Sequence, residues 1–225
     1  MENKMKIGIM MALNKELEFF AAQINNLQQQ TIAGKTFYYG KYLNHELILA
    51  VSGMGKTNAA ICTTYLINTY AVDIILNIGI SGGLDSSLHI GDFILGCDIV
   101  YHDVWCGEPN LHGQVQDLPL LYHSDAVLMD KIPAMRRGLL CCGDQFIALT
   151  EELQNIKQNF PQALAVDMES AAIAQTCYLH KVPFLCVRQI SDTPGVEHHQ
   201  EQYDTFWQNA PINSVKMLTK ILQKL

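Results

Sequence analysis

Two segments place carboxylates where an α/β protein does chemistry. Ala165-Val-Asp-Met-Glu-Ser-Ala-Ala172 passes from an apolar strand straight into a helix, with Met168 and Glu169 at the junction. Val187-Arg-Gln-Ile-Ser-Asp192 is an apolar strand ending in a Ser-Asp pair, before the turn formers Thr193, Pro194 and Gly195. A carboxylate at the carboxyl end of a strand stands where open α/β sheets hold their substrates. Ser191 and Asp192 could equally cap a following helix, since both types accept from helix N-terminal amides. The local pattern leaves both readings open.

Other motifs are weaker. Ser52-Gly-Met-Gly-Lys-Thr57 ends a strand and opens a helix, like a phosphate-binding loop. That loop needs a glycine five residues before its Gly-Lys pair, and Ala50 stands there. Its glycines fit a tight turn or a close backbone approach instead. Asn77-Ile-Gly-Ile-Ser-Gly-Gly83 lacks the G-x-G-x-x-G spacing of a dinucleotide site, and is either a ligand contact or a structural turn. His102, Asp103, Cys106, Glu108 and His112 are metal-capable side chains, but none of the usual ligand spacings joins them, so no metal site is expected. His198 and His199 read as solvated surface, and the Cys141–Cys142 pair as core packing.

The elements that must position these residues alternate along the chain. Apolar runs predict strands at residues 6–10, 73–79, 93–102, 138–143 and 184–190, with residues 38–39 and 47–52 antiparallel around Asn44. Helical spacing follows the first strand, with Leu17, Phe19 and Phe20, and recurs at residues 56–70, 168–179 and 205–222. Continuous apolar strands such as Ile74-Ile75-Leu76 imply burial on both faces. The expected fold is therefore α/β, with a mixed, largely parallel sheet between helices. Residues 105–122, rich in Gly, Pro, Gln and Asn, read as a long loop of the kind that usually carries function. A single domain over residues 1–225 is the expectation.

Composition excludes several classes. The chain has 225 residues, 49% hydrophobic and 16% charged, which rules out disorder. Net charge is −7 and the only arginines are Arg136, Arg137 and Arg188, so no basic face for nucleic acid is expected. No apolar run approaches the roughly 18 residues that span a bilayer, so no membrane association is expected. Residues 7–13 follow two lysines but meet Asn14, Lys15 and Glu16, which speaks against an export signal. Seven cysteines, an odd number, scattered through apolar segments fit reduced thiols and a cytoplasmic location.

Taken in order, Met5-Lys-Ile-Gly-Ile-Met-Met-Ala12 with Glu16, Ser52-Gly-Met-Gly-Lys56, Tyr101-His-Asp103, Gly143-Asp-Gln-Phe146, Val166-Asp-Met-Glu169 and Val187-Arg-Gln-Ile-Ser-Asp192 resemble the bacterial 5′-methylthioadenosine/S-adenosylhomocysteine nucleosidases of the nucleoside phosphorylase superfamily. The resemblance runs almost end to end. It implies a three-layer α/β/α domain on a mixed, partly closed central sheet, a homodimer with the 105–122 loop near the partner's pocket, and no cofactor or metal. The reaction it implies is hydrolysis of the N9–C1′ bond of a small-molecule nucleoside substrate. Asp192 would protonate the purine, with Ser191 positioning it, and Glu16 would activate water, with Arg188 a polar anchor nearby. Glu169 would hold the ribose hydroxyls and Met168 would pack beside the sugar. Phe146 would stack on the adenine while the backbone at Phe146 and Ile147 reads its edge. Leu13, Met54, Met168 and Tyr203 are the candidate walls of an apolar 5′ pocket, Tyr203 as part of its lid.

The chain also departs from that pattern. Ile80 stands where relatives have serine, in a Ser-Ala-Gly-Gly segment that reads Ile80-Ser-Gly-Gly83 here. Trp105-Cys-Gly-Glu-Pro-Asn110 replaces a segment that helps close the pocket in relatives, and residues 13–16 keep the glutamate but lose the acidic residues before it. Rival readings are a hydrolase of another purine nucleoside such as futalosine, a phosphate-dependent phosphorylase, or a catalytically silent nucleoside-binding protein. Phosphorylases of the superfamily grip phosphate with arginines near the first strand exit and before the glycine-rich turn, and neither position carries one here. Retention of Glu16, Glu169 and Asp192 speaks against a silent protein.

Overall fold

The computed structural model describes residues 4–194, 199–206 and 210–225, without the side chains of residues 15, 16, 19, 199, 200, 210 and 211. The elements run β1 (Lys6–Met11), α1 (Asn14–Ala21), β2 (Asn25–Ile32), β3 (Lys35–Tyr42), β4 (His45–Val51), α2 (Lys56–Asn68), β5 (Ile74–Gly83), β6 (Phe93–Tyr101) and β7 (Tyr122–His123). They continue as α3 (Ala126–Lys131), β8 (Arg136–Cys142), α4 (Thr150–Asn159), β9 (Ala163–Asp167), α5 (Ser170–His180), β10 (Phe184–Asp192), α6 (His199–Phe206) and α7 (Ala210–Leu222). Residues 102–121 form no regular element, as the composition of that stretch predicts.

The apolar strands are covered on both sides because alternate residues point to opposite faces. In β4, Leu47 and Leu49 pack on one face with Leu17 and Phe20 of α1 and Leu218 and Ile221 of α7. Ile48 and Ala50 pack on the other, with Ala59, Cys62 and Leu66 of α2 and Ala171, Ile173 and Cys177 of α5. Two apolar layers thus flank one sheet. All seven cysteines are free thiols. Burial pushes the Cys141 thiol up to about 12, so it serves as packing, as expected of that pair.

Strand β5 closes the sheet on itself. On one edge its first half pairs in parallel with β1 and its last two residues pair antiparallel with β9, Gly82 opposite Val166 and Gly83 opposite Ala165, while the other edge pairs in parallel with β10 from Ile75 to Gly82. β10 pairs with β6, β6 with β8 and β8 with β9, so β5, β10, β6, β8 and β9 form a closed ring. β4, β3 and β2 extend the sheet beyond β1. The switch needs small residues. A β-carbon on Gly82 would lie 2.7 Å from Pro194 Cγ, and one on Gly83 would lie 3.1 Å from Ile190 Cγ2.

Several elements differ from the sequence reading. β2 is an edge strand of mostly exposed polar residues, so no apolar period marked it. β5 runs to Gly83 because the glycines extend the strand into the ring closure. α3 and α4 carry few buried residues, Leu128 and Ile156 among them, and α4 is capped by Glu152 accepting from the amides of Ala148 and Leu149 at 2.9 and 3.0 Å. The expected C-terminal helix at 205–222 is two helices, α6 and α7, with residues 207–209 outside the described residues. His198 and the side chain of His199 also lie outside them. Among the described residues no helix is long and apolar enough to cross a membrane.

Candidate active site

A cleft of about 580 Å³, part of it open to solvent, lies at the carboxyl ends of β5, β9 and β10. Ten of the residues anticipated from sequence line it: Leu13, Met54, Ile80, Phe146, Ile147, Met168, Glu169, Ser191, Asp192 and Tyr203. Glu16 follows β1 in α1, and its side chain lies outside the described residues.

Asp192 is buried at 2% exposure in the last, bulged residues of β10. Ser191 Oγ lies 2.6 Å from Asp192 Oδ1 and 3.3 Å from the Ser81 carbonyl. The Ser-Asp pair therefore ends a strand and does not cap a helix, since α6 begins only at His199. The bulge decides this, because it turns two consecutive residues out of regular register.

Glu169 sits between β9 and α5, buried at 8% exposure. Its Oε1 accepts from the Gly55 amide at 2.8 Å. Gly55 can present that amide because its φ is +94, and Gly53 is also left-handed at +79. Lys35 Nζ donates to the Ser52 carbonyl at 2.6 Å and to Asn58 Oδ1 at 2.8 Å, which fixes the other end of the turn. The next amide, of Lys56, donates to Asp144 Oδ1 at 2.7 Å. The start of α2 thus faces protein carboxylates, as its positive dipole favours.

The turn supplies a direct test. Gly55→Ala places a β-carbon at a positive φ and 3.0 Å from Asp144 Oδ1. Such strain costs about 1–3 kcal/mol, and chemical denaturation should show a loss of that order. An unchanged midpoint and slope would show that the turn relaxes freely.

Arg188 is the residue expected as a polar anchor near the water. It lies behind the cleft, 2% exposed, bordering a smaller cavity with Ala12, Ile80 and Glu169. Its guanidinium makes four hydrogen bonds to protein and an ion pair with Asp167. Nε and Nη2 reach Asp167 Oδ2 at 2.8 and 2.7 Å, and Nη2 also donates to Asn77 Oδ1 at 2.6 Å. Nη1 donates to the carbonyls of Asn77 and Val187 at 3.2 and 3.0 Å. With its fork engaged this way, Arg188 holds Asp167 in place.

Asp167 in turn accepts from the Ser170 amide and hydroxyl at 3.2 and 2.7 Å, starting α5 directly behind Glu169. Sequence reading passed over Asp167, although it stands in the same Val-Asp-Met-Glu run. It also passed over Ala12, Ser81, Gly82, Gln145, Val166 and Pro194, which complete the lining. At the mouth, Phe146 is 44% exposed and meets Tyr203 edge to face, with centroids 5.8 Å apart at 77°.

Comparison with known proteins agrees with this geometry. Residues 6–223 match the phosphorylase superfamily. The 5′-methylthioadenosine/S-adenosylhomocysteine nucleosidase of Staphylococcus carnosus is 39% identical over 97% of this chain and all of its own. The S-adenosylhomocysteine nucleosidase of Streptococcus pyogenes, solved with 5-methylthiotubericidin, is 34% identical with a TM-score of 0.93, covering 99% of this chain and 98% of its own. The futalosine hydrolase of Helicobacter pylori is 26% identical, with a TM-score of 0.92 over 98% of both chains. The chain belongs to the phosphorylase superfamily and, within it, to the 5′-methylthioadenosine/S-adenosylhomocysteine nucleosidase family.

Proposed function

We propose that the protein hydrolyses the N-glycosidic bond of 5′-methylthioadenosine and S-adenosylhomocysteine, releasing adenine and a 5-thioribose. One observation carries the reading: Glu169 and Asp192, two of the three buried carboxylates that line the cleft, are each held by a specific donor among walls that are otherwise largely apolar. Cleaving the bond develops positive charge on the sugar and negative charge on the leaving purine. An acid at the purine and a base at the water meet those needs, as in inverting glycosidases.

Asp192 is the acid toward the purine N7, steadied by Ser191. Glu169, held by Gly55, accepts the ribose hydroxyls, with Met168 beside the sugar. Glu16 is the base for water. Phe146 stacks on the base and the backbone at Ile147 reads its edge. Leu13, Met54, Met168 and Tyr203 take the alkylthio group. That wall favours an alkylthio substituent over a charged one, while adenosine remains a poorer substrate, because an apolar pocket discriminates one such group by only about 1–3 kcal/mol.

The arginines support hydrolysis over phosphorolysis, since a phosphate dianion is best held by bidentate guanidinium forks. The Arg188 guanidinium is engaged within the protein by Asp167, Asn77 and Val187. Arg136 bonds Asp85 and Ser87, and Arg137 bonds the Met129 carbonyl. A second copy of the chain is part of the proposal. α2 and α5 pack side by side and expose Ile61, Tyr178 and Leu179, while Trp105 and Leu111 are exposed on the 105–122 loop. A homodimer that buries this apolar surface would bring that loop near the partner's pocket.

The test is release of the purine base, adenine from methylthioadenosine, S-adenosylhomocysteine and adenosine and hypoxanthine from inosine and futalosine, with and without phosphate. Free thioribose should form from the first two substrates at a rate independent of phosphate. A ribose 1-phosphate that appears only with phosphate would replace the hydrolase by a phosphorylase, and a preference for futalosine would replace its substrate.

A further inference from the structure

Three sequence motifs contribute residues that the proposed reaction does not use: Lys56 after the glycine turn, Asp103 in Tyr101-His-Asp, and Asp144 in Gly143-Asp-Gln-Phe. The fold brings all three together. Lys56 Nζ donates to both carboxylate oxygens of Asp103, at 2.8 and 2.7 Å. Asp103 Oδ2 also accepts from the Asp144 amide at 2.8 Å. Asp144 Oδ1 returns to the Lys56 amide at 2.7 Å, and its Oδ2 lies 3.8 Å from Lys56 Nζ. The ammonium also sits 5.2 Å from the centre of the Tyr101 ring, within cation–π range.

Each corner is the neighbour of a cleft residue. Lys56 follows Gly55, whose amide holds Glu169. Asp144 comes just before Gln145, Phe146 and Ile147, which line the cleft. Asp103 is the second residue of the irregular 102–121 segment. Resting on the function read above, we propose that Asp103 is a positioning residue. Through Lys56 and Asp144 it sets the spacing between the sugar-holding wall at Gly55 and Glu169 and the base-holding wall at Phe146 and Ile147.

The cluster is partly exposed, with side chains 21% (Lys56), 26% (Asp103) and 49% (Asp144) accessible. Ion pairs so exposed add little to global stability, so the link acts on geometry. Misplacing a binding wall by about 1 Å can cost up to about a hundredfold.

The experiment compares Asp103→Ala, Lys56→Met and the double variant with the wild type. It reads KM and kcat for methylthioadenosine, the Kd of adenine and the thermal midpoint. Each single variant should raise KM and adenine Kd by about tenfold or more, within the range expected for a displaced wall, while kcat stays within about threefold. The double variant should be no worse than the worse single one, because both cut one link. Lys56→Arg, which keeps the charge, should recover part of the loss. Unchanged KM and adenine Kd in Asp103→Ala overturn the proposal. So does a fall in apparent kcat at constant KM that tracks a lowered midpoint, the mark of a merely structural pair. Should Asp103→Ala not fold, Asp103→Asn carries the same readouts. A wild type that releases no adenine from methylthioadenosine would overturn the functional reading itself.

Discussion

Asp192→Asn should leave a folded protein that releases adenine slower by about 10²–10⁴-fold, the range that a positioned proton donor contributes. The substitution is nearly isosteric, and Asn Oδ1 can still accept from Ser191 at the 2.6 Å contact. What is lost is a proton that can be given away at the moment the purine leaves. Binding should change far less than turnover, since the amide still offers a hydrogen bond to the base. Single-turnover release of adenine from methylthioadenosine, beside the Kd of adenine, separates the two. A rate within threefold of the wild type would remove Asp192 from the acid's role.

Arg188→Met should be the most destabilising single change, costing about 3–5 kcal/mol as expected when one partner of a buried ion pair is removed. The loss strands Asp167, whose side chain is 2% exposed, with Oδ2 deprived of both guanidinium contacts. Asn77 Oδ1 loses its 2.6 Å donor as well. Asp167→Asn added to Arg188→Met removes the stranded charge while keeping an oxygen for the Ser170 amide, so the double variant should recover much of the loss. Urea denaturation of the three proteins reads this directly. A single variant that loses under 1 kcal/mol would mean that water or rearrangement satisfies Asp167. Because Asp167 starts α5 behind Glu169, activity should fall with the single variant and return in part with the double.

Much of this protein is legible in its residues. Apolar runs located the central strands, because a strand covered on both faces must be apolar throughout. Glu169 and Asp192 stood out because a carboxylate at a strand end is a poor choice for packing and a good one for chemistry. Edge strand β2 and helices α3 and α4 were not legible, because they bury too little apolar surface to leave a period. The C-terminal helices merged into one because apolar spacing continues from Phe206 to Leu222 without a breaker strong enough to mark the division. Pro211 falls in the first turn of α7, where a helix tolerates it.

The sequence by itself determined which residue types could react and which local element each would occupy, since both follow from spacing over a few residues. Only the tertiary structure decided what those residues touch. Arg188 has the composition of a ligand anchor, yet its donors are spent on Asp167 and Asn77, partners 21 and 111 positions away. Lys56 and Asp103 lie 47 positions apart, and Lys56 and Asp144 88. They meet because β5 changes neighbours at Gly82 and closes the ring of strands, bringing loops from separate βα units to one rim. Periodicity encodes burial, a property of each residue alone, whereas a contact depends on the path of the chain between two residues. Strand pairing sets that path.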